Sequence, residues 1–262
     1  MVVDAFEAPR TAEPAPGPVV RGRPRRSPAW VAMYHSVSDC TEDPFNVTVS
    51  PARLDRQLAW LRGRGLRGVS VRALLDARAR REERGLVGLT FDDGYADFLT
   101  TALPVLSRWE CGATVFPVVG RLGEENDWEV SGPRKRLLDA DDLRHLAAAG
   151  FEVASHGLTH IDLTRVPDDV LNAEIHGSRA LLAELTGHEI QGFCYPYGTV
   201  DARVRAAVQS AGYRYACAIA PGSENVGDLA LPRIHIGQSD TAPRLEVKRR
   251  LARAWGRAVE AS

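Results

Sequence analysis

Two carboxylates, Asp92 and Asp93, stand side by side where the apolar run at residues 86–91 meets Gly94. Charged groups at the end of a core strand are costly unless they are paired or hold a metal. Adjacent side chains of an extended segment point to opposite sides, which predicts one Asp on a metal and its neighbour toward water or an outer hydrogen-bond partner. Further ligands are offered by Ser155-His156-Gly-Leu-Thr-His160, directly after the apolar segment 151–154. Histidines four residues apart can face one point if the residues between them turn helically. With one Asp, His156 and His160 make a two-histidine, one-carboxylate set that leaves coordination positions open to water and substrate. An Asp-Asp-Gly turn or a surface histidine pair would each be unremarkable alone. Their joint occurrence favours a metal-dependent hydrolase. A third segment, Gly192-Phe-Cys-Tyr-Pro-Tyr-Gly198, gathers Tyr195, Pro196 and Tyr197. It could form a groove wall that stacks on sugar rings and presents a backbone N–H to a developing oxyanion, or a strand end with core aromatics.

Strand-like apolar segments recur at 30–34, 85–91, 113–119, 151–155, 192–195, 213–219 and 229–236. Helical spacing of Leu54, Leu58 and Leu61 predicts a helix over 51–64, and Val170, Ile175 and Leu181 or Leu182 predict another over 168–185. Ser50 before Pro51 suits a helix start, and Gly65 and Gly187 suit stops. This alternation predicts parallel βα units, and about seven strands fit an α/β barrel better than an open sheet. In either architecture, functional groups gather at the carboxyl ends of the strands, where the polar clusters fall. Residues 124–135 read as a surface insertion, and 242–259 as a basic amphipathic helix with a solvated face. The expected organisation is a disordered tail at 1–28, one catalytic domain at 29–240 and a terminal helix at 241–262. No internal repeat is apparent.

The 262 residues, 44% hydrophobic and 26% charged, suffice for one sizeable core. A formal net charge of -1 gives no global attraction to nucleic acid or an acidic membrane surface. Residues 1–28 lack a secretory signal pattern and no later stretch has the length and apolarity of a membrane span, so the expectation is a cytoplasmic protein. The four cysteines, Cys40, Cys111, Cys194 and Cys217, lack close pairing and are expected to be buried free thiols.

Thr90-Phe-Asp-Asp-Gly94 and Ser155-His-Gly-Leu-Thr-His160 closely resemble two motifs of the polysaccharide deacetylase family, the NodB homology domain. The resemblance spans about 31–236 and implies a distorted (β/α) barrel that removes acetyl groups from glycans. It further implies one divalent metal, commonly zinc, on Asp93, His156 and His160, with Asp92 as general base. In the third motif, Cys194 stands where most relatives carry an arginine that orients the catalytic Asp, and a clear Asp-containing partner motif is missing. The remainder is similar to the branch acting on poly-N-acetylglucosamine, where the acid histidine belongs to an early Tyr-His pair, here Tyr34-His35. More typical members place it late, where Leu231-Pro-Arg-Ile-His235 offers His235. His35 is preferred, and His145, His176 and His188 are read as surface residues.

Such a centre would activate water toward an N-acetyl carbonyl, with the Tyr197 backbone N–H assisting the oxyanion and His35 protonating the departing amine. The expected substrate is an N-acetylated sugar, oligosaccharide or glycoconjugate, with no nucleic-acid partner. Competing readings are an amidohydrolase of the same fold acting on a small amide or cyclic ureide, and a catalytically silent glycan-binding domain.

Overall fold

A computed structural model describes residues 30–219, 221 and 227–261, so the expected tail at 1–28 lies outside the described residues. In chain order the elements begin β1 (Val31–Tyr34), β2 (Ser36–Val37), β3 (Thr48–Val49), α1 (Pro51–Arg62), β4 (Arg67–Val69), α2 (Val71–Arg80) and β5 (Leu86–Asp93). They continue with α3 (Leu103–Arg108), β6 (Thr114–Pro117), α4 (Ala140–Ala148), β7 (Glu152–Val153), α5 (Asp168–Asn172), α6 (Ser178–Thr186) and β8 (Gly192–Cys194). The last are α7 (Ala202–Ser210), β9 (Tyr215–Ala218), β10 (Leu231–Pro232), β11 (Ile234–His235) and α8 (Ala242–Ala261).

The paired strands are parallel throughout. β11, β1, β5, β6 and β7 follow one another, with β4 on the first half of β5, while β8, β9 and β10 form a second ladder. Two features connect these arcs. A bridge between Ser155 and Phe193 links the chain after β7 to β8, and Arg233 alone separates β10 from β11. Seven strand positions therefore run round a distorted barrel whose ladder is interrupted at Ser155 and Arg233. The expected strand over 229–236 is thus two short strands broken at Arg233.

Strand alternation sorts the core into two layers. Ala32, Tyr34, Val87, Leu89, Phe91 and Val115 pack under the helices, with Tyr34 stacked on Phe91 at 5.2 Å. Val31, Phe116, Ala154, Cys194, Tyr215, Cys217 and Leu231 form the other cluster and fill the barrel. Helix α1 starts as its sequence predicts, with Ser50 accepting from the Arg53 N–H and Leu54, Leu58 and Leu61 buried. Between α5 and α6 the chain makes a π-helical turn, Ala173–Gly177. Leu171, Ile175 and Leu182 face inward there, whereas Val170 and Leu181 are exposed, which corrects the inward assignment of Val170.

Cys40 is exposed, contrary to expectation, while Cys194 and Cys217 are buried; all four thiols are free. His145, His176 and His188 are exposed as expected. Helix α8 docks through buried Leu245 and through Lys248 Nζ, 2.6 Å from Asp240. No helix among the described residues is long and apolar enough to cross a membrane.

Candidate active site

Strand β5 delivers Asp92 and Asp93 to the barrel mouth, where both line a cavity of about 210 Å³ together with His35, His156, His160 and Tyr197. Simple alternation would separate the two carboxylates. Asp93 instead adopts a left-handed backbone, φ 67°, and brings its side chain back to the cavity. Gly94 continues the turn at φ 74°, where a Cβ would stand 2.8 Å from the Pro117 Cα. Only glycine fits this passage without displacing β6.

His156 and His160 meet Asp93, though not by helical spacing. Gly157 and His160 are left-handed, at φ 79° and 60°, so the loop folds irregularly. Buried Glu174 clamps it. Its Oε2 accepts the Leu158 and Thr159 N–H groups at 2.7 and 3.1 Å, and its Oε1 accepts the Thr159 hydroxyl. Glu174 stands in the π turn after α5, and such turns often carry functional side chains.

The three donor atoms converge. Asp93 Oδ1 lies 3.3 Å from His156 Nε2 and 3.4 Å from His160 Nε2, yet this buried oxygen has no hydrogen-bond donor among the described residues. Ligands about 2.0–2.1 Å from a tetrahedral ion stand roughly 3.3 Å apart, so the spacing suits a shared divalent metal. Without one, a buried acceptor would be left unsatisfied at considerable cost. His156 Nδ1 lies 2.8 Å from the Cys194 carbonyl oxygen; donation there turns the Nε2 lone pair toward the centre. His160 is clamped between rings, stacked on Trp128 at 4.6 Å and edge-on to Tyr197 at 4.7 Å. Burial lowers the pKa of His160, which favours the neutral ligating form. Burial would raise Asp93, but its two histidines hold it well below the usual carboxylate range.

Asp92 faces a different set of partners. Arg233 Nη1 donates to its Oδ1 at 2.6 Å, and Arg233 Nη2 to Cys194 Sγ at 3.0 Å. Burial favours the protonated acid, yet Arg233, His35 and His156 together lower the Asp92 pKa. Asp92, His156 and Cys194 also cluster closely enough to suggest ligation. The Arg233 cation occupies that corner, and burial pushes the Cys194 thiol well above its ordinary pKa, so this second trio does not suit a metal. His35 Nε2 stands 3.9 Å from Asp92 Oδ2 on the cavity wall. His235 neighbours it at a 6.3 Å ring separation but does not line the cavity.

Of the aromatic segment, Tyr197 reaches the mouth and is 54% exposed, in a left-handed backbone at φ 59°. Tyr195 also lines the cavity but is 1% exposed, and its hydroxyl donates to the Leu229 carbonyl at 2.8 Å. Pro196 is also buried, beneath Gly157. Residues 124–135 are not merely a surface insertion: Trp128 and Glu129 line the cavity, and Asn126 is fully buried. Burial and then the charge of Asp93 raise the Glu129 pKa.

The model of the polysaccharide deacetylase family matches residues 79–216, more than half of the chain. The chain belongs to the polysaccharide deacetylase family. It is 24% identical over 218 residues to the Bacillus subtilis family protein YxkH, covering 81% of this chain and 73% of that one. A poly-beta-1,6-N-acetyl-D-glucosamine N-deacetylase of Staphylococcus aureus is 23% identical over 216 residues, 78% of this chain and 72% of the relative. Among solved structures, the Streptococcus pyogenes deacetylase PplD in complex with acetate superimposes with a TM-score of 0.71 at 22% identity. That match covers 85% of this chain and 98% of PplD and shows a shared fold.

The NodB-type deacetylase fold explains why Asp92, Asp93, His156 and His160 share one rim: the two carboxylates end β5 and the two histidines lie in the loop after β7, at the carboxyl ends of barrel strands. It also brings in residues the motifs did not flag. Arg233 sets a guanidinium against Asp92 and Cys194, approaching from the break between β10 and β11. The sequence signal was a cation between apolar Leu231 and Ile234, in a segment otherwise read only for His235.

Proposed function

We propose that this deacetylase hydrolyses an N-acetyl group on an amino-sugar glycan or glycoconjugate, releasing acetate with the aid of one divalent metal. The convergence of Asp93, His156 and His160 beside an arginine-held Asp92 carries the reading. A metal held by those three side chains, zinc by preference for its donor set, would supply Lewis acidity that polarises the carbonyl and acidifies water.

The remaining work falls to protein groups. Asp92, kept ionised by Arg233, accepts a proton from the attacking water through its Oδ2 edge, since Oδ1 is engaged by the guanidinium. The Tyr197 backbone N–H is assigned to the developing oxyanion. His35, on the Oδ2 side of Asp92, delivers a proton to the nitrogen as the C–N bond breaks. The products are acetate and a free amino sugar. The S. aureus relative named for poly-N-acetylglucosamine, together with the exposed Tyr197 ring at the mouth, supports an amino-sugar substrate. The test is acetate release from N-acetylglucosamine oligosaccharides before chelation, after chelation and after adding zinc back. Chelator-sensitive release restored by zinc supports the proposal. No release from these sugars, with turnover of a small amide, would move the enzyme to the amidohydrolase reading.

A further inference from the structure

Among the described residues lining the cavity, Glu129 is the one charged side chain outside the Asp–His–Arg centre. It is held there by dedicated donors. The Tyr95 hydroxyl donates to Glu129 Oε1 at 3.2 Å, and Asn126 Nδ2 donates to Oε2 at 2.9 Å. Both donors are buried, Tyr95 at 1% exposure and Asn126 at 0%. Asn126 is itself fixed, its Oδ1 accepting the Lys135 N–H at 2.6 Å and its Nδ2 lying 3.3 Å from the Pro133 carbonyl. Tyr95 comes two residues after Asp93, so the Glu129 carboxylate is registered to the same turn that places the metal-ligand candidate.

The surroundings narrow what Glu129 can recognise. Phe45 and Val47 line the cavity from the loop between β2 and β3, and Trp128 and Ile219 add apolar surface. Phe45 also covers Gly132, where a Cβ would stand 3.1 Å from the ring and 3.4 Å from Glu129 Oε2. Each carboxylate oxygen has about two acceptor sites, and the protein donors take one on each. What remains is an oriented pair of acceptors in an apolar mouth beside the reacting centre. Sugar hydroxyls are donors of matching chemistry, and an unmet carboxylate in such a place discriminates strongly against ligands lacking the donor.

We propose that Glu129 is a specificity-determining residue that accepts a hydrogen bond from a ring hydroxyl of the sugar whose acetamide enters the centre. This rests on the deacetylase reading above. Glu129 positions the substrate and leaves the bond-breaking steps to the groups already assigned.

The test uses the full-length, zinc-loaded protein with methyl N-acetylglucosaminide and its 3-, 4- and 6-deoxy analogues. Glu129→Gln is expected to raise KM for the parent sugar roughly 10- to 100-fold while kcat stays within about threefold. One deoxy analogue should bind poorly to the parent enzyme, and its penalty should disappear in the variant. Metal content and Tm, measured alongside, show whether the 124–135 segment has stayed in place. If Glu129→Gln loosens it, Glu129→Asp, which withdraws the same charge by one methylene, should reproduce the loss of hydroxyl discrimination. Equal deoxy penalties in parent and variants would overturn the Glu129 assignment while leaving deacetylation intact. A parent enzyme releasing no acetate from any of these sugars would sink both.

Discussion

Arg233 and Asp92, 141 residues apart in sequence, meet inside the barrel with Nη1 2.6 Å from Oδ1. Both side chains are almost wholly shielded from water, at 1% and 3% exposure. A lone buried carboxylate would take up a proton; with the guanidinium beside it, it stays ionised and able to accept one. The short Cys194 side chain leaves room for this reach, its sulfur accepting from the second guanidinium nitrogen at 3.0 Å.

Replacing Arg233 with Met should therefore raise the Asp92 pKa. The acidic limb of kcat/KM should move to higher pH in Arg233→Met, because the base is protonated sooner as pH falls. Stability should follow the same sign. The pair stabilises the parent above the ordinary carboxylate range and is lost as pH drops through the lowered Asp92 pKa. Breaking a buried pair by removing one partner costs about 3–5 kcal/mol. Urea midpoints should show that deficit at neutral pH and a smaller one in acid. An unshifted limb would detach Arg233 from the base.

Asp93→Ala, His156→Ala and His160→Ala should each lose most bound metal, since three protein ligands give little redundancy. Asp92→Asn should keep its metal and lose roughly 10²–10⁴-fold in kcat, as removal of a general base does. Elemental analysis paired with turnover separates the two classes. Metal loss in Asp92→Asn would make Asp92 a ligand instead.

Glu174 touches the Leu158–Thr159 backbone and no reacting group, so its influence passes through His156 and His160. Glu174→Gln should weaken zinc affinity by about 10- to 100-fold, the usual effect of losing an outer partner of a ligand. At saturating zinc, kcat should recover. A defect that zinc cannot repair would point to collapse of the loop.

The contrast between these residues shows what the sequence could reveal. Asp92, Asp93, His156 and His160 were legible because each pair is contiguous or nearly so and follows an apolar strand. Their convergence was legible as chemistry but not as conformation: a left-handed backbone at Asp93 undoes the separation that alternation predicts, and an irregular loop with His160 left-handed stands where a helical turn was expected. Arg233 and Glu174 act across 141 and about 16 residues, with no local pattern beyond a cation or anion on a buried face. Polar composition made 124–135 look like an exposed insertion. Its placement depends on buried Asn126 and on Lys135 Nζ reaching Ser36 Oγ at 2.6 Å and Thr48 Oγ1 at 2.8 Å, contacts only the fold brings together.

The acid is the last assignment to test, because two histidines stand close together at the same rim. His35 follows β1 and His235 ends β11, and these strands pair directly, with Met33 opposite His235. Their positions are not equivalent. His35 lines the cavity with Nε2 3.9 Å from Asp92 Oδ2, so its imidazole stands beside the carboxylate proposed as the base. His235 is set back, its carbonyl accepting from Lys248 Nζ at 2.6 Å. Burial, then the neighbouring His35 and Lys248 charges, lower the His235 pKa, which makes it a poor proton reservoir at neutral pH. Protonating the leaving amine commonly contributes about 10²–10⁴-fold, so His35→Ala should depress kcat by that order with metal content unchanged. His235→Ala should cost less than about tenfold, through altered packing beside His35. Both are measured on the same N-acetylated oligosaccharide at saturating zinc. The reverse order would assign the acid to His235 and require substrate to approach from the β11 side of the mouth.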